Sequence, residues 1–460
     1  MAWFAPLKSL MNFDEFGQRA ILPPKPGVHH FLRENEHEKV RAHLRINPDG
    51  SGLLLVNAAR VYHFNPSATF MAYLALQKTP RPQALKSLAN AFNAPRGTLG
   101  IDFDQVAKKV NDLLAPDGPC PVHEMDLEIL PPFSVRPSAP YRMDLALTYQ
   151  CNNACSHCYN ARPRSFPQLT TAQWFRILDQ LWDLGIPHIV FTGGEPTLRQ
   201  DLPELIAHAE QNGQITGINT NGRRLHDAAF VHRLADAGLD HVQITLESHD
   251  PAIHDELVAH PGAWKETTAG LRNALDTNLF VMTNTTLLQR NSPFLAETLD
   301  FLANAGVPTV GLNALIYSGH GETVGTGLPE TALPPLLTLA QQRTESRQQR
   351  LIWYTPTQYC HFDPLQMELG VKGCTAALYN MCVEPDGSVI PCQSYYQPLG
   401  NLLTDSWDSI WNHELSVSLR ERKGLPIDCL SCKLLPECGG GCPLARNHQQ
   451  PVQSVLSITS

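Results

Sequence analysis

Between residues 141 and 345, six apolar runs alternate with amphipathic stretches, and this alternation limits the fold of the 460-residue chain more than any other feature. The runs are Met143–Leu147, His188–Phe191, Ile215–Asn219, His241–Leu246, Leu279–Thr285 and Thr309–Leu315. Stretches such as Thr171–Leu184 and Leu202–Gln211 fill the gaps with helical periodicity. Strands joined through helices pair in parallel. Six βα units therefore predict one parallel sheet, either open and doubly wound or closed part-way into a (β/α)6 TIM-type barrel. Either form binds ligands at the C-terminal ends of its strands.

Two loops at those ends carry chemistry. Cys151, Cys155 and Cys158 follow the first run with the spacing C-x3-C-x2-C, and Gly193-Gly194-Glu195-Pro196 follows the second. Three thiolates on one short loop suit three irons of a [4Fe–4S] cluster and leave the fourth iron without a protein ligand. Structural thiols, or a zinc loop borrowing a distant ligand, are the alternatives. The glycines expose backbone carbonyls beside one carboxylate, a combination suited to an ammonium donor.

The twelve cysteines follow the same logic. The N-terminus, Met1-Ala2-Trp3-Phe4-Ala5-Pro6-Leu7-Lys8, does not resemble a secretory signal, so a reducing cytoplasm is expected and disulfides are not. Cys120 stands alone, while eight cysteines lie between Cys360 and Cys442, which points to metal. Cys374, Cys382 and Cys392 form one group, with Gly387 between the outer pair. Cys429, Cys432, Cys438 and Cys442 form the other, with Gly439, Gly440 and Gly441 between its last two members. A zinc ribbon is one reading of these spacings. A net charge of −9 gives no global field for nucleic acid, and no apolar run is long enough to cross a membrane.

Five segments follow. Residues 1–36 form an N-terminal extension, 37–117 a small domain, 118–140 a linker, 141–345 the strand–helix domain and 346–460 a Cys-rich domain. The small domain is predicted as three strands and three helices, an α+β unit like a winged helix. Its strands are Ala42–Ile46, Leu53–Val56 and Arg60–Phe64, and its helices Pro66–Gln77 (N-capped by Asn65), Pro82–Phe92 and Asp102–Leu114. Four prolines between Ile129 and Pro140 mark an extended linker.

The two loops in register resemble the radical S-adenosylmethionine (radical SAM) superfamily over residues 140–345. The resemblance implies that Cys151, Cys155 and Cys158 ligate a [4Fe–4S] cluster whose open iron chelates SAM, and that reductive cleavage gives methionine and a 5′-deoxyadenosyl radical. Gly193, Gly194, Glu195 and Pro196 would receive the SAM amino group, His157 would stand near the adenine, and Ser248 would contact ribose or carboxylate. An arginine that many relatives carry after a His-Asp pair is missing from His254-Asp255-Glu256-Leu257.

The Cys-rich segment resembles the SPASM extension of these enzymes. That implies one auxiliary [4Fe–4S] cluster on Cys374, Cys382, Cys392 and Cys442, and a second on Cys429, Cys432 and Cys438. The family's further cysteine is missing after Cys442, which leaves Cys360, His448, an open iron or no second cluster. Residues 40–117 resemble a PqqD-like peptide-recognition domain, which binds a leader peptide as an added strand.

Taken together, the resemblances imply an oxidoreductase that modifies a ribosomally made precursor peptide or target protein, with a ferredoxin or flavodoxin as reductant. Neither nucleic acid nor membrane is an expected partner. A maturase of a tetrapyrrole- or quinone-type cofactor, or a cluster scaffold without turnover, are the other readings.

Overall fold

The computed structural model describes residues 20–34, 39–57, 60–115, 137–446 and 448. The N-terminal extension before residue 20, Cys120 and the expected linker as far as residue 136 lie outside the described residues. The chain divides into two compact units, Met1–Ile129 and Leu130–Ser460.

The first unit is a four-stranded antiparallel sheet in the order β1-β2-β3-β4, followed by three helices. The strands are β1 (Gly27–Glu34), β2 (Lys39–Ile46), β3 (Gly52–Val56) and β4 (Arg60–Phe64). The helices are α1 (Pro66–Leu76), α2 (Arg81–Ala91) and α3 (Arg96–Leu113). As the sequence suggests, Asn65 caps α1, its side chain accepting from Ala68 N–H at 2.9 Å. Val40, Ala42, Leu44, Leu54 and Val56 meet Ala72, Leu76, Val110 and Leu113 in the core.

One strand departs from expectation. β1 pairs with β2 along its whole length, from Gly27↔Ile46 to Glu34↔Lys39, so residues 27–34 belong to this unit and not to an extension. The histidines and charges of Gly27–Glu34 hide it from local pattern reading. Its partner supplies the pairing.

The second unit carries a ten-stranded sheet. Its parallel strands are β5 (Arg142–Thr148), β6 (His188–Gly193), β7 (Ile215–Thr220), β8 (His241–Thr245), β9 (Phe280–Leu287), β10 (Thr309–Ala314) and β11 (Arg350–Trp353). Helices α4 (Thr171–Asp183), α5 (Leu202–Asn212), α6 (Ala228–Asp236), α7 (Pro251–Val258), α8 (Ala263–Leu275), α9 (Leu295–Asn304) and α10 (Leu333–Ser346) occupy the connections. α4 shows why: Thr170 and Gln173 form a reciprocal capping box, and Trp174, Ile177, Leu178 and Leu181 bury one face.

Strand order runs β11 to β5 without reversal. A doubly wound sheet reverses direction at its switch point, so the order selects the partial barrel. β11 is a strand beyond those expected, and it carries the parallel set past residue 345.

The open side of β5 is taken by β12 (Asn380–Val383), which pairs with it in parallel from Asn380↔Arg142 to Val383↔Leu145. β13 (Ser388–Ile390) and β14 (Gly400–Asn401) follow antiparallel. The Cys-rich segment thus continues the same sheet. Among the described residues no helix is long and apolar enough to cross a membrane.

Candidate active site

A cavity of about 780 Å³ opens at the C-terminal ends of the parallel strands. Cys151, Cys155 and Cys158 line it, and so do Cys374, Cys392 and Cys442 from the Cys-rich segment. Its inner wall is polar, formed by Asn219, Gln243, Thr245, Asn284, Thr286 and Asn313. Sequence reading passed over this row. The signal was present as polar residues two apart in otherwise apolar strands, Gln243-x-Thr245 and Asn284-x-Thr286, which point to one face.

The Cys151–Cys158 loop is held from three sides. Ala154 and Ser156 donate their N–H groups to Val258 and Leu257 at the end of α7, at 3.0 and 3.2 Å. The Cys158 carbonyl accepts from His320 N–H at 2.8 Å. Arg164 donates to the carbonyls of Cys151 and Asn153, and Arg223 to the carbonyl of Asn152 and, at 3.0 Å, to Asn153 Oδ1. Arg223 is itself fixed by Glu266 at 2.6 Å.

Burial raises all three thiols, Cys151 to about 11 and Cys155 well above its ordinary value. Iron favours the thiolate that burial disfavours, so thiols of this kind release their protons when metal binds. Among the described residues no three His, Cys, Asp or Glu side chains are grouped to hold a single ion. Three thiols on one braced loop, opening onto a cavity with room for a ligand beside them, fit a cluster with one free iron.

The Gly193–Pro196 loop is stitched to the root of that cysteine loop. Gly194 N–H donates to Thr148 O at 2.7 Å and Glu195 N–H to Gln150 O at 2.8 Å. The approach is close enough to require both glycines. A Cβ at Gly193 would stand 2.1 Å from Thr148 O, at φ +132°, and one at Gly194 would stand 2.4 Å from Gln150 O.

Gly193 and Gly194 line the cavity, whereas Glu195 and Pro196 do not. The Glu195 side chain is taken up internally. Its fully buried carboxylate accepts from Thr197 N–H at 3.1 Å, Thr197 Oγ1 at 2.6 Å, Thr220 Oγ1 at 2.7 Å and Asn221 N–H at 2.8 Å. Burial raises its pKa while these donors lower it. The group ties the loops after β6 and β7 together beneath the cavity.

Ser248 also has an internal partner. It is fully buried, lies off the cavity wall, and its Oγ accepts from Asp250 N–H at 3.1 Å in the turn that enters α7. His157 does line the cavity. Its Nε2 lies 3.0 Å from Glu247 Oε1, and its buried Nδ1 has no hydrogen-bond partner. Glu247, 1% exposed and on the cavity wall, is the acidic residue the sequence reading did not assign; its other oxygen accepts from Thr286 N–H at 2.9 Å. The His254-Asp255 pair is structural. His254 Nδ1 accepts from Glu247 N–H at 3.2 Å, and Asp255 accepts from Gly262 and Trp264 N–H at 2.6 and 2.7 Å.

Cys374, Cys392 and Cys442 stand together, each thiol raised first by burial, with Cys374 pushed up to about 12. Cys382, on β12, is fully buried against Ala146, Tyr149 and Ile390, away from the cavity wall; the charge of Cys392 adds to the burial that raises it. Cys429, Cys432 and Cys438 lie off the cavity, Cys438 buried and Cys432 exposed. Two polar links join the cysteine segments. Tyr159 OH donates to Gln393 Oε1 at 3.1 Å, and Arg162 grips Glu384 with two bonds of 2.7 and 2.8 Å.

Residues 145–302 match the radical SAM superfamily, and residues 374–433 match SPASM, an iron–sulfur cluster-binding domain. The chain thus carries a radical SAM domain and a SPASM domain. It is therefore an enzyme that binds SAM and [4Fe–4S] clusters. Fe-coproporphyrin III synthase of Methanosarcina barkeri is 28% identical over 324 residues, covering 64% of this chain and 81% of that protein. PqqA peptide cyclase of Rhizobium meliloti is 27% identical over 315 residues, covering 66% and 82%. The structure of Streptococcus suis SuiB bound to precursor peptide SuiA shares the fold, with a TM-score of 0.66 at 18% identity over 92% of this chain and 97% of that one. Native anSMEcpe with bound AdoMet shares it at 0.55 and 15% identity over 68% and 91%.

Proposed function

We propose that this radical SAM enzyme is a maturase of a ribosomally made precursor peptide. In this reading Cys151, Cys155 and Cys158 hold the SAM-binding cluster, Cys374, Cys382, Cys392 and Cys442 hold an auxiliary cluster, and Cys429, Cys432 and Cys438 hold three irons of another. The observation that carries the reading is that two separate cysteine sets open onto one cavity. Bound there, the first cluster and SAM supply a carbon-centred radical able to take hydrogen from an unactivated carbon.

The chain's own groups position the reactants. Gly193 and Gly194 offer the cavity the backbone of the loop they form, and Glu195 stiffens that loop from below. Glu247 accepts at Oε1 from His157 Nε2–H, which leaves His157 Nδ1 as an acceptor for an N–H such as the adenine amine. Asn219, and Asn284 through its unpartnered Oδ1, face the cavity as groups for a substrate's backbone or polar side chains, while Asn313 holds Asn284 by accepting from its Nδ2 at 2.7 Å.

Peptide capture falls to the first unit. Among the described residues β4 pairs only with β3, so its other edge offers backbone groups to an added strand. The likeness to PqqA peptide cyclase supports a peptide, and the likeness to Fe-coproporphyrin III synthase favours the second reading, a tetrapyrrole.

Anaerobic reconstitution followed by SAM and dithionite tests the proposal. Release of 5′-deoxyadenosine is expected, and a short precursor peptide should accelerate it and change in mass. No 5′-deoxyadenosine at full iron loading rejects radical chemistry. Acceleration by coproporphyrin substrates but not by peptides selects the second reading.

A further inference from the structure

Cys429, Cys432 and Cys438 leave a four-thiolate cluster one ligand short, and residues 443–460 contain no cysteine. A fourth thiol reaches this loop from upstream. The turn at residues 357–361 packs directly on Cys438: Tyr359 N–H donates to Cys438 Sγ at 3.4 Å, and that sulfur lies 3.7 Å from Thr357 O. Gly441, at φ +69°, lies so close to the turn that a Cβ would stand 2.7 Å from Gln358 Cγ. The turn is fixed from behind as well. Glu330 accepts from Gln358 N–H at 3.2 Å and pairs with the His361 ring at 2.6 Å.

Cys360 sits in this braced turn, with its side chain exposed. Its thiol is raised by partial burial and then by the charges of Cys438 and Cys429. Cys429 is raised in turn by burial, Cys438 and Cys432. Cys360 thus adjoins Tyr359, whose N–H meets Cys438 Sγ, although it lies 69 residues before Cys429 in the chain.

We infer that Cys360 is the fourth ligand of the second auxiliary cluster, delivered from the segment between β11 and β12. The inference rests on the reading above that Cys429, Cys432 and Cys438 hold a cluster. On ligation each thiol gives up its proton to solvent and no electron is transferred. With four protein ligands this cluster has no iron free for substrate, and its role is confined to passing electrons.

Alkylation footprinting tests the assignment. The full chain is reconstituted anaerobically with ferrous iron and sulfide, treated with iodoacetamide and digested; a chelator-stripped sample is treated in parallel. Labelling of Cys360 should fall at least about tenfold on reconstitution, together with that of Cys429, Cys432 and Cys438. Unchanged labelling of Cys360 while those three are protected overturns the inference, as does protection of Cys120 in its place. Equal labelling of all four in both samples also overturns it, and separately rejects a cluster at that loop. A second measurement uses Cys360→Ala, which alters an exposed side chain. Its iron content should fall by about one to four from roughly twelve per chain, with a changed electron paramagnetic resonance spectrum. Wild-type iron and an unchanged spectrum refute the assignment.

Discussion

Replacing Gly194 by alanine tests whether the two loops at the cavity mouth act as one construction. The added Cβ would stand 2.4 Å from Gln150 O and 2.7 Å from Tyr149 O, both backbone atoms. Ordinary contact begins at 3.4 Å, so the loops must part by about 1 Å. A shift of that size stretches Gly194 N–H···O Thr148 and Glu195 N–H···O Gln150, now 2.7 and 2.8 Å, beyond useful hydrogen-bond length. Two such bonds are worth about 2 kcal/mol net, and more if the groups stay dry. In a unit of this size that loss lowers Tm by roughly 3 °C. Because Cys151 adjoins Gln150, the displacement also reaches the first thiol, and SAM affinity should drop on the order of tenfold or more. Circular dichroism melting and equilibrium dialysis with labelled SAM read the two effects. Gly97→Ala is the control, since its Cβ would meet nothing within 4 Å. A Gly194→Ala protein with wild-type Tm and SAM affinity would falsify the close-approach argument.

Other outcomes follow from the same geometry. The triple substitution of Cys151, Cys155 and Cys158 by alanine should remove about four irons per chain and abolish 5′-deoxyadenosine release, checked by iron analysis and chromatography. Arg162→Met leaves the Glu384 carboxylate, 1% exposed, without its cation, a loss of about 3 kcal/mol. Adding Glu384→Gln should recover part of it in urea unfolding, and no recovery would show that the ion pair is not the cause. Burial depresses His241 from an unfolded value of 6.5 to about 4. A histidine depressed by folding contributes stability that is complete above pH 6.5 and lost as pH falls from 6.5 toward 4, on the order of 3 kcal/mol in all. His241→Gln should therefore lose less stability between pH 7 and pH 5 than the wild type, and matching pH profiles would count against this origin.

The parallel sheet was legible because each strand from β5 to β10 is an apolar run followed by an amphipathic helix, a signal contained within thirty or so residues. β1 and β12 were not, because their stabilisation comes from distant partners: β1 gains from β2, and β12 from β5. The same distinction separates the site residues. Cys151, Cys155, Cys158, Gly193 and Gly194 announce themselves by spacing and do stand on the cavity wall. Glu195 and Ser248 carry the same local signature but are turned to internal hydrogen bonds, and only the positions of Thr220, Asn221 and Asp250 reveal this. Glu247 shows the reverse. It was visible only as the third polar residue of an alternating strand end, and its neighbours His157 and Thr286 give it a place on the cavity wall.

β12 has a further meaning for how such a chain can be altered. Its register with β5 places Cys382 opposite Asp144 and Val383 opposite Leu145, so the strand that leads to Cys158's loop also carries the strand that bears an auxiliary ligand candidate. The boundary between the two matched domains is therefore a boundary in sequence only. A truncation before residue 380 would strip the outer edge of β5 and leave its amides unpaired, beside the very loop that holds the first three thiols. An exchanged C-terminal segment must bring its own strand, in the same register, before its cysteines can matter. Modularity in this architecture is set by hydrogen-bond register and not by the spacing of its metal ligands.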